Sequence, residues 1–405
     1  MNTSMHQAVT QAGGRRPTAI GQAGMRSPNE RLVLSLLRRN GALSKAEIAR
    51  LTALSAQTIS VINRQLESDG LVMREARVRG RVGQPSTPMT LDPDGAFSIG
   101  LRIGRRSADM ALMDFAGVLR HQIRTAFAYP TPASIMEFVR DNWAGLCQRL
   151  PAARRDRIAG IGIGAPFELW NWLDRLDAPP DAMTQWRDFD LTDAVARETG
   201  LDVIMENDAS AACLAEQTVG LGREISDFAY FFTGSFIGGG IVLNHALQTG
   251  VAGNAGAFGS LPARANDPRD GRQLIDTASL YTLERRLIAH NIDPADLWRQ
   301  REDWSVFEPH VTDWLAATAD AMADAIVAVC SVFDFPVIVV DGAYPPGVRG
   351  QLTARINMAI DRCNTQGIAR PDIIAGSVGS NARVIGAAML PISARFLVRG
   401  VNAMA

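Results

Sequence analysis

The side chains with the clearest potential for chemistry lie between residues 45 and 81 and are amides, hydroxyls and cations. A glutamine or asparagine amide can form a pair of hydrogen bonds with an adenine edge, and an arginine can neutralise phosphates or enter a narrow minor groove. This chemistry suits binding to double-stranded operator DNA. The predicted DNA contacts are Lys45, Gln57, Thr58, Ser60, Asn63, Arg64, Arg77, Arg79 and Arg81.

The distribution of charge agrees with this prediction. Residues 1–90 contain thirteen Lys or Arg and five Asp or Glu, whereas the whole chain has a net charge of -1. A basic segment attached to an acidic remainder is typical of a polyanion-binding head. A solvated basic face and a protein-interaction module are the alternatives for the same segment.

Three short helices must position these side chains. Residues 29–41 carry leucines close to one helical face and end at Asn-Gly. Ser44 and Glu47 have the spacing of a capping box at the start of a second helix, and Ser55 is the predicted N-cap of a third. In a helix-turn-helix the helix that follows Ser55 enters the major groove.

A two-stranded wing is predicted after these helices. Residues 71–93 alternate apolar and basic side chains around two glycines, which favours strands over a helix. The predicted organisation is a disordered tail over residues 1–27, a winged helix-turn-helix over 28–92, and an α/β effector domain over 93–405. A chain of 405 residues is long enough for two or three domains.

The effector domain has the pattern of an α/β architecture, in which short apolar strands are separated by helical stretches. No run approaches the roughly 20 apolar residues that span a bilayer, and the four cysteines lack CxxC pairing. We therefore expect a cytoplasmic protein without a membrane partner. The predicted strands are residues 98–104, 108–114, 158–164, 201–206, 228–234, 238–244 and 336–342.

Four segments carry a resemblance to a known family: GQPSTPMTLDP at 83–93, GIGIGAP at 160–166, ENDASAACLAE at 206–216 and GGGIVLN at 238–244. Through them the chain resembles the ROK family (repressors, open reading frames and sugar kinases), specifically its branch of xylose and N-acetylglucosamine repressors. The resemblance implies a two-lobed actin-like ATPase (ribonuclease H-like) domain with a sugar between the lobes. It also implies a homodimer or homotetramer.

The phosphate-binding motifs depart from those of the family's kinases. Where the resemblance implies Asp-x-Gly-Gly-Thr, residues 102–106 read Arg-Ile-Gly-Arg-Arg, so the carboxylate that serves magnesium is replaced by a cation. Where it implies Gly-Thr-Gly, residues 234–236 read Gly-Ser-Phe. The arginines could bind an anion; the alternative, which we expect, is an unused site whose arginines are solvated.

The sugar-binding motif has departed as well. The family's Gly-Glu-x-Gly-His is replaced by Gly-Ala-Phe-Gly-Ser at 256–260, and its cysteine-rich zinc loop is missing, so we expect no metal and no cofactor. Asp208 aligns with the family's catalytic base, and it could also hydrogen-bond a ligand hydroxyl or begin a helix. The effector is then a modified, less polar or anionic compound, or there is none. The predicted ligand contacts are Pro166, Asn207, Asp208, Gly239 and Asp276.

Together these features predict a DNA-binding regulator, a repressor of carbohydrate-related genes controlled by a small sugar-like or modified-sugar effector in a degenerate kinase cleft. A sugar kinase with an accessory DNA-binding domain is one alternative. A ligand-independent regulator controlled by a protein partner is another. Pairing of two chains could use the apolar segments 316–334 and 394–405, although both could equally be core.

Overall fold

The computed structural model describes residues 25–76, 87–166, 179–263, 271–299 and 302–398. Arg77, Arg79 and Arg81 lie outside the described residues, as do residues 1–24 of the predicted tail. The described parts of the chain form a head followed by two α/β lobes.

The head contains the three predicted helices, α1 (Pro28–Asn40), α2 (Lys45–Thr52) and α3 (Ala56–Ser68), and two short strands, β1 (Val72–Arg74) and β2 (Met89–Leu91). Ser44 and Glu47 form the predicted capping box, and the Ser55 hydroxyl accepts the backbone N–H of Thr58. Ser27 caps α1, so the ordered head begins slightly before the predicted boundary. The strands β1 and β2 pair antiparallel, which confirms the stem of a wing.

The first lobe is built on a five-stranded sheet with the order β5-β4-β3-β6-β7. The strands β3, β4 and β5 pair antiparallel, whereas β6 and β7 extend the sheet in parallel. The strands are β3 (Phe97–Ile103), β4 (Ser107–Asp114), β5 (Leu119–Ala126), β6 (Ile158–Ala165) and β7 (Val203–Asn207). Its helices are α4 (Pro132–Gln148), α5 (Pro180–Asp188) and α6 (Leu191–Thr199).

The second lobe repeats this arrangement in a sheet with the order β10-β9-β8-β11-β12. Again three antiparallel strands are extended by two parallel ones, as the two-lobed prediction requires. The strands are β8 (Phe228–Thr233), β9 (Ile237–Leu243), β10 (Ala246–Gln248), β11 (Val337–Gly342) and β12 (Asp372–Ala375). The helices are α8 (Ile275–Ala278), α9 (Leu280–Ala289), α10 (Ala295–Arg299), α11 (His310–Val332) and α12 (Pro346–Ile360).

Two further helices, α7 (Asp208–Val219) and α13 (Ala382–Phe396), pack against each other and join the two lobes. Glycines make this contact very close. A Cβ atom on Gly162 would lie 1.7 Å from the carbonyl oxygen of Ala387, and one on Gly386 would lie 1.7 Å from that of Ala211. Any larger residue at either position would push α13 away from β6 or from α7.

The head is attached to the first lobe through a shared core. Leu34 and Leu37 of α1 lie in one apolar cluster with Phe115 and with Met389 and Phe396 of α13. Because this cluster is continuous, the head and α13 cannot separate without exposing apolar surface to water.

Hydrogen bonds reinforce the junction between head and body. The guanidinium of Arg31 donates to the carbonyl of Leu397 at 2.8 Å, and the backbone N–H of Val398 donates to the Ser35 hydroxyl at 3.0 Å. Arg157 donates to the carbonyl of Gly70 at 3.1 Å. The end of α13 is therefore bonded directly to the first helix of the head.

The helix α11 is long and apolar enough to cross a membrane by length and composition alone. It contains most of the apolar segment 316–334, for which the sequence left pairing of two chains and burial in the core as alternatives. Leu315, Met322 and Ile326 are fully buried in the core of the second lobe, where α11 packs against α12 and α9. This apolar character is accounted for by packing within the lobe.

Candidate functional site

The exposed face of α3 carries some of the predicted DNA contacts. Gln57 and Arg64 are exposed, and Thr58 and Ser60 are half-buried beside them. Lys45 is exposed in the first turn of α2. The helix-turn-helix therefore presents these side chains to solvent on its second and third helices.

The prediction that Asn63 is exposed is wrong, because only 2% of this residue is accessible. Asn63 lies four residues after Ile59 and three before Leu66, and both of those are fully buried. Residues at these spacings share one face of a helix, so Asn63 faces the core of the head. The side chain cannot reach a base edge from there.

Val61 is a surface residue that sequence reasoning missed. It is 59% exposed, and it lies four residues after Gln57 and three before Arg64, on the same face of α3. An apolar side chain at a groove-facing position can contact a thymine methyl group. The sequence did contain an indication of this, because Val61 does not share the helical spacing of the core residues Ile59 and Ile62.

The expectation that Arg102 and Arg105 are solvated is also wrong. Arg102 is 7% exposed and lies directly opposite Asp109 in the β3–β4 ladder, with its Nη1 2.6 Å from a carboxylate oxygen of Asp109. Arg124 of β5 bonds to the same carboxylate. Burial alone would raise the pKa of Asp109, but the two guanidiniums together hold that pKa below its usual value.

Arg105 crosses from the first lobe to the second. Its guanidinium lies 3.2 Å from the carboxylate of Glu284 and 4.7 Å from the centre of the Tyr281 ring, and it also stacks near Phe236. Phe236 lies in the β8–β9 turn, which corresponds to the β3–β4 turn bearing Arg105. The two hairpins therefore touch, and their contact closes one side of the cleft between the lobes.

Asp208, the residue aligned with a catalytic base, is bonded to a cation. Its carboxylate is 3.2 Å from Arg383 at the start of α13, and the guanidinium of Arg383 lies 5.0 Å from the Phe232 ring. Burial, with repulsion from Arg102, lowers the pKa of Arg383 to about 10, so it is charged at neutral pH. Asn207 caps α7 by accepting the backbone N–H of Ala209 at 2.9 Å.

The prediction that Gly239 lies against a ligand is wrong, since the chain itself fills that space. A Cβ atom on Gly239 would lie 2.3 Å from the ring of Phe258. Phe258 belongs to the segment that replaced the sugar-binding motif, and its ring stacks on Phe231 with centroids 4.5 Å apart. The neighbouring Gly240 faces Cys213 of α7 in the same close manner.

The two remaining predicted ligand contacts lie in different lobes, Asp276 in the second and Pro166 in the first. Asp276 is exposed and accepts the backbone N–H of Gln273 at 3.0 Å, which closes the turn before α8. Pro166 is half-buried at the end of β6, immediately before residues 167–178, which lie outside the described residues.

An open cavity of about 410 Å³ lies between the lobes, on the side of Arg102 and Ser235. Pro166, Asn207, Asp208, Gly239 and Asp276 do not line it. Its walls come from the end of β3, the end of β5, the segment 293–299 and the start of α13. The cavity is therefore on the side of residues 102–106, where the sequence was compared with a phosphate-binding motif. Among the described residues, no group of three His, Cys, Asp or Glu side chains could hold a metal ion.

Comparison with known proteins agrees with this architecture. Residues 98–394 match the sequence profile of the ROK family. The chain belongs to the ROK family. Residues 26–73 match a profile described as winged helix-turn-helix DNA-binding, so this ROK protein carries such a domain ahead of its two lobes.

Individual relatives include regulators and kinases. The xylose repressor of Bacillus spizizenii is 24% identical over 66% of this chain and 68% of its own. A crystal structure of a ROK family transcriptional regulator, a homologue of the E. coli MLC protein, matches with a TM-score of 0.65 at 19% identity over 91% of this chain and 96% of that one. A ROK family glucokinase from Streptomyces griseus, in complex with glucose and AMPPNP, matches with a TM-score of 0.57 at 23% identity over 73% and 99%. The two structures support the fold.

Proposed function

We propose that this ROK protein is a cytoplasmic, DNA-binding transcriptional repressor of carbohydrate-related genes, controlled by a small ligand between its lobes. The observation that carries the proposal is the head, in which a capped third helix presents Gln57, Val61 and Arg64 to solvent and is followed by the two paired strands β1 and β2. The relatedness to xylose repressors supports the choice of regulated genes. The wing residues Arg77, Arg79 and Arg81 are proposed as phosphate or minor-groove contacts.

Two copies of the head are needed to read a two-fold operator, so we propose a homodimer or homotetramer as the active form. In such an assembly a ligand that changes the angle between the lobes changes the spacing of the heads. Light scattering at working concentration tests this part, and a monomer would contradict it.

The decisive test is fluorescence anisotropy of the full chain on its own upstream DNA, repeated across a salt series. Gln57→Ala should lower the preference for that DNA over a scrambled duplex by about 1–3 kcal/mol, because it removes a base contact. Arg81→Ala should weaken binding to both duplexes and reduce the salt slope by about 1, because it removes a phosphate contact.

Arg197→Ala is the matched control. Arg197 is an exposed arginine of the first lobe, and its replacement removes the same charge outside the head. Equal preference for both duplexes by the unmodified protein would contradict the DNA-binding proposal. A panel of sugars, sugar acids and sugar phosphates tests ligand control through release of the DNA, and a null result across that panel favours control by a protein partner.

A sugar kinase with an accessory DNA-binding domain is the second candidate, and the retained Asp208 favours it. We propose that kinase activity has been lost, because Asp208 is bonded to Arg383 and a cation stands at position 102. Phosphoryl transfer needs a carboxylate free to accept a hydroxyl proton and a site for magnesium. ATP-dependent phosphorylation of a sugar that Asp208→Asn abolishes would establish the kinase instead.

A further inference from the structure

Positive charge in the interlobe cavity exceeds the negative charge that neutralises it. Arg102 and Arg124 both line the cavity and share one carboxylate, that of Asp109. Arg106 also lines it, is exposed, and has no carboxylate within 4 Å among the described residues. Of the other two cavity arginines, Arg383 is matched by Asp208, whereas Arg299 pairs with both Asp293 and Asp296, which leaves one negative charge over in the segment 293–299. About two positive charges are therefore left over at one end of the cavity.

Arg102 also has hydrogen-bonding capacity to spare. Its Nη1 donates to Asp109 and to the Ser107 hydroxyl at 3.0 Å, but its Nε is buried and has no acceptor among the described residues. This Nε is itself inaccessible, so an oxyanion in the cavity is attracted by the charge of the Arg102 guanidinium rather than bonded by this donor. This residue is more than nine-tenths buried, so bulk water does not solvate it freely.

Apolar and aromatic side chains form a second part of the cavity wall, which also includes the carboxylates of Glu284 and Asp293. Phe127 follows β5 of the first lobe, while Trp298 and Tyr344 belong to the second. The indole N–H of Trp298 is occupied by Glu284 at 2.7 Å, so the ring offers mainly its apolar surface. Flat apolar groups bury well against such walls.

From this arrangement we infer that the interlobe cavity binds an organic oxyanion, a carboxylate or phosphate attached to a flat apolar group. The oxyanion lies against Arg102, Arg106 and Arg124, and the apolar group lies between Phe127 and Trp298. The inference rests on the proposed function and names the chemical class of its effector. A plain hexose has neither a negative charge for the arginines nor a flat apolar group for the aromatic side chains.

The same cavity is connected to the head. The helix α13 begins next to Arg383 on the cavity wall and ends in the core beneath α1, about 22 Å away at 1.5 Å per residue. A ligand held by both lobes stabilises one angle between them. A change in that angle moves α13 and, with it, the core residues that hold α1. Anion binding is therefore coupled to the orientation of the head.

The test is isothermal titration calorimetry of the full chain with three probes: 2-naphthoate, 2-naphthyl phosphate and the neutral 2-naphthamide. We expect the better of the two anions to bind about ten-fold more tightly than the amide, because charge-assisted hydrogen bonds are stronger than those of a neutral amide. Which anion binds better distinguishes a carboxylate from a phosphate ligand. Equal binding of anions and amide, or no binding of either anion, would overturn the inference.

Arg106→Gln localises the site without disturbing a buried ion pair. It should weaken the better anion about ten-fold and leave the amide unchanged, whereas Arg197→Gln should change neither. An unchanged affinity of Arg106→Gln for that anion places its binding elsewhere and refutes the inference. Calorimetry needs no DNA, so the two proposals can fail separately. If neither anion binds but the specific DNA complex forms, only this inference is refuted. If an anion binds but no specific DNA complex forms, only the proposed function is refuted.

Discussion

Replacing Arg105 by methionine tests whether the two hairpins hold the lobes together. The guanidinium of Arg105 and the carboxylate of Glu284 form a buried pair across the cleft, with side chains only 4% and 6% exposed. Arg105→Met keeps an unbranched apolar stem, but it removes the charge and the guanidinium contacts with Tyr281 and Phe236. Glu284 is then left buried with the indole N–H of Trp298 as its remaining partner.

The expected loss follows from this geometry. Removing one member of a buried ion pair costs about 3–5 kcal/mol, and the surviving bond from Trp298 puts the expected value near the lower limit, about 3 kcal/mol. Replacing Glu284 by methionine as well removes the unpaired charge. The double variant should therefore be more stable than Arg105→Met alone, although it carries one more substitution.

Urea unfolding of the three proteins measures these differences, with Arg197→Met as the control. Arg197 pairs with Asp193 on the surface, where side chains are 76% and 53% exposed, so its loss should cost no more than about 1 kcal/mol. The reasoning is refuted if Arg105→Met costs no more than the control, or if adding Glu284→Met lowers the free energy of unfolding further.

Three further predictions concern stability. Gly162→Ala should cost about 1–3 kcal/mol or more, because the new methyl group would overlap the Ala387 carbonyl. The control Gly145→Ala adds a methyl group in open space on α4 and should not destabilise the protein. Equal urea midpoints for the two variants would contradict the close packing of α13. Ser44→Ala should cost about 1 kcal/mol through loss of the capping box, measured by thermal unfolding of the full chain, and an unchanged midpoint would contradict the cap. The folded-state pKa of Asp109 lies below its unfolded value near 3.8, so its stabilisation is present above that pH and is lost as the pH falls through the folded pKa. Asp109→Asn should therefore be less stable than the unmodified protein at pH 7, the difference should shrink on acidification toward pH 3, and a difference independent of pH would refute this account.

Local signals predicted the elements of the fold. Capping serines, leucine spacing and alternating apolar runs depend on residues a few positions apart, so they predicted the three head helices and the seven strands that the structure confirms. Three strands escaped notice. Two of them, β5 and β10, are edge strands with half-exposed residues, and β12 has only four residues, so none carries a long apolar run.

The sequence by itself determined the family and the order of the domains, and it predicted the loss of the phosphate motifs, because each depends on short contiguous segments. Only the tertiary structure decided what the replacement residues do. Arg102 and Asp109 are seven residues apart yet lie face to face in a ladder, and Arg105 meets Glu284 through the contact of two distant hairpins. Solvated and buried arginines look identical in a sequence, because the cost of burying a charge is offset by a partner that only the fold supplies.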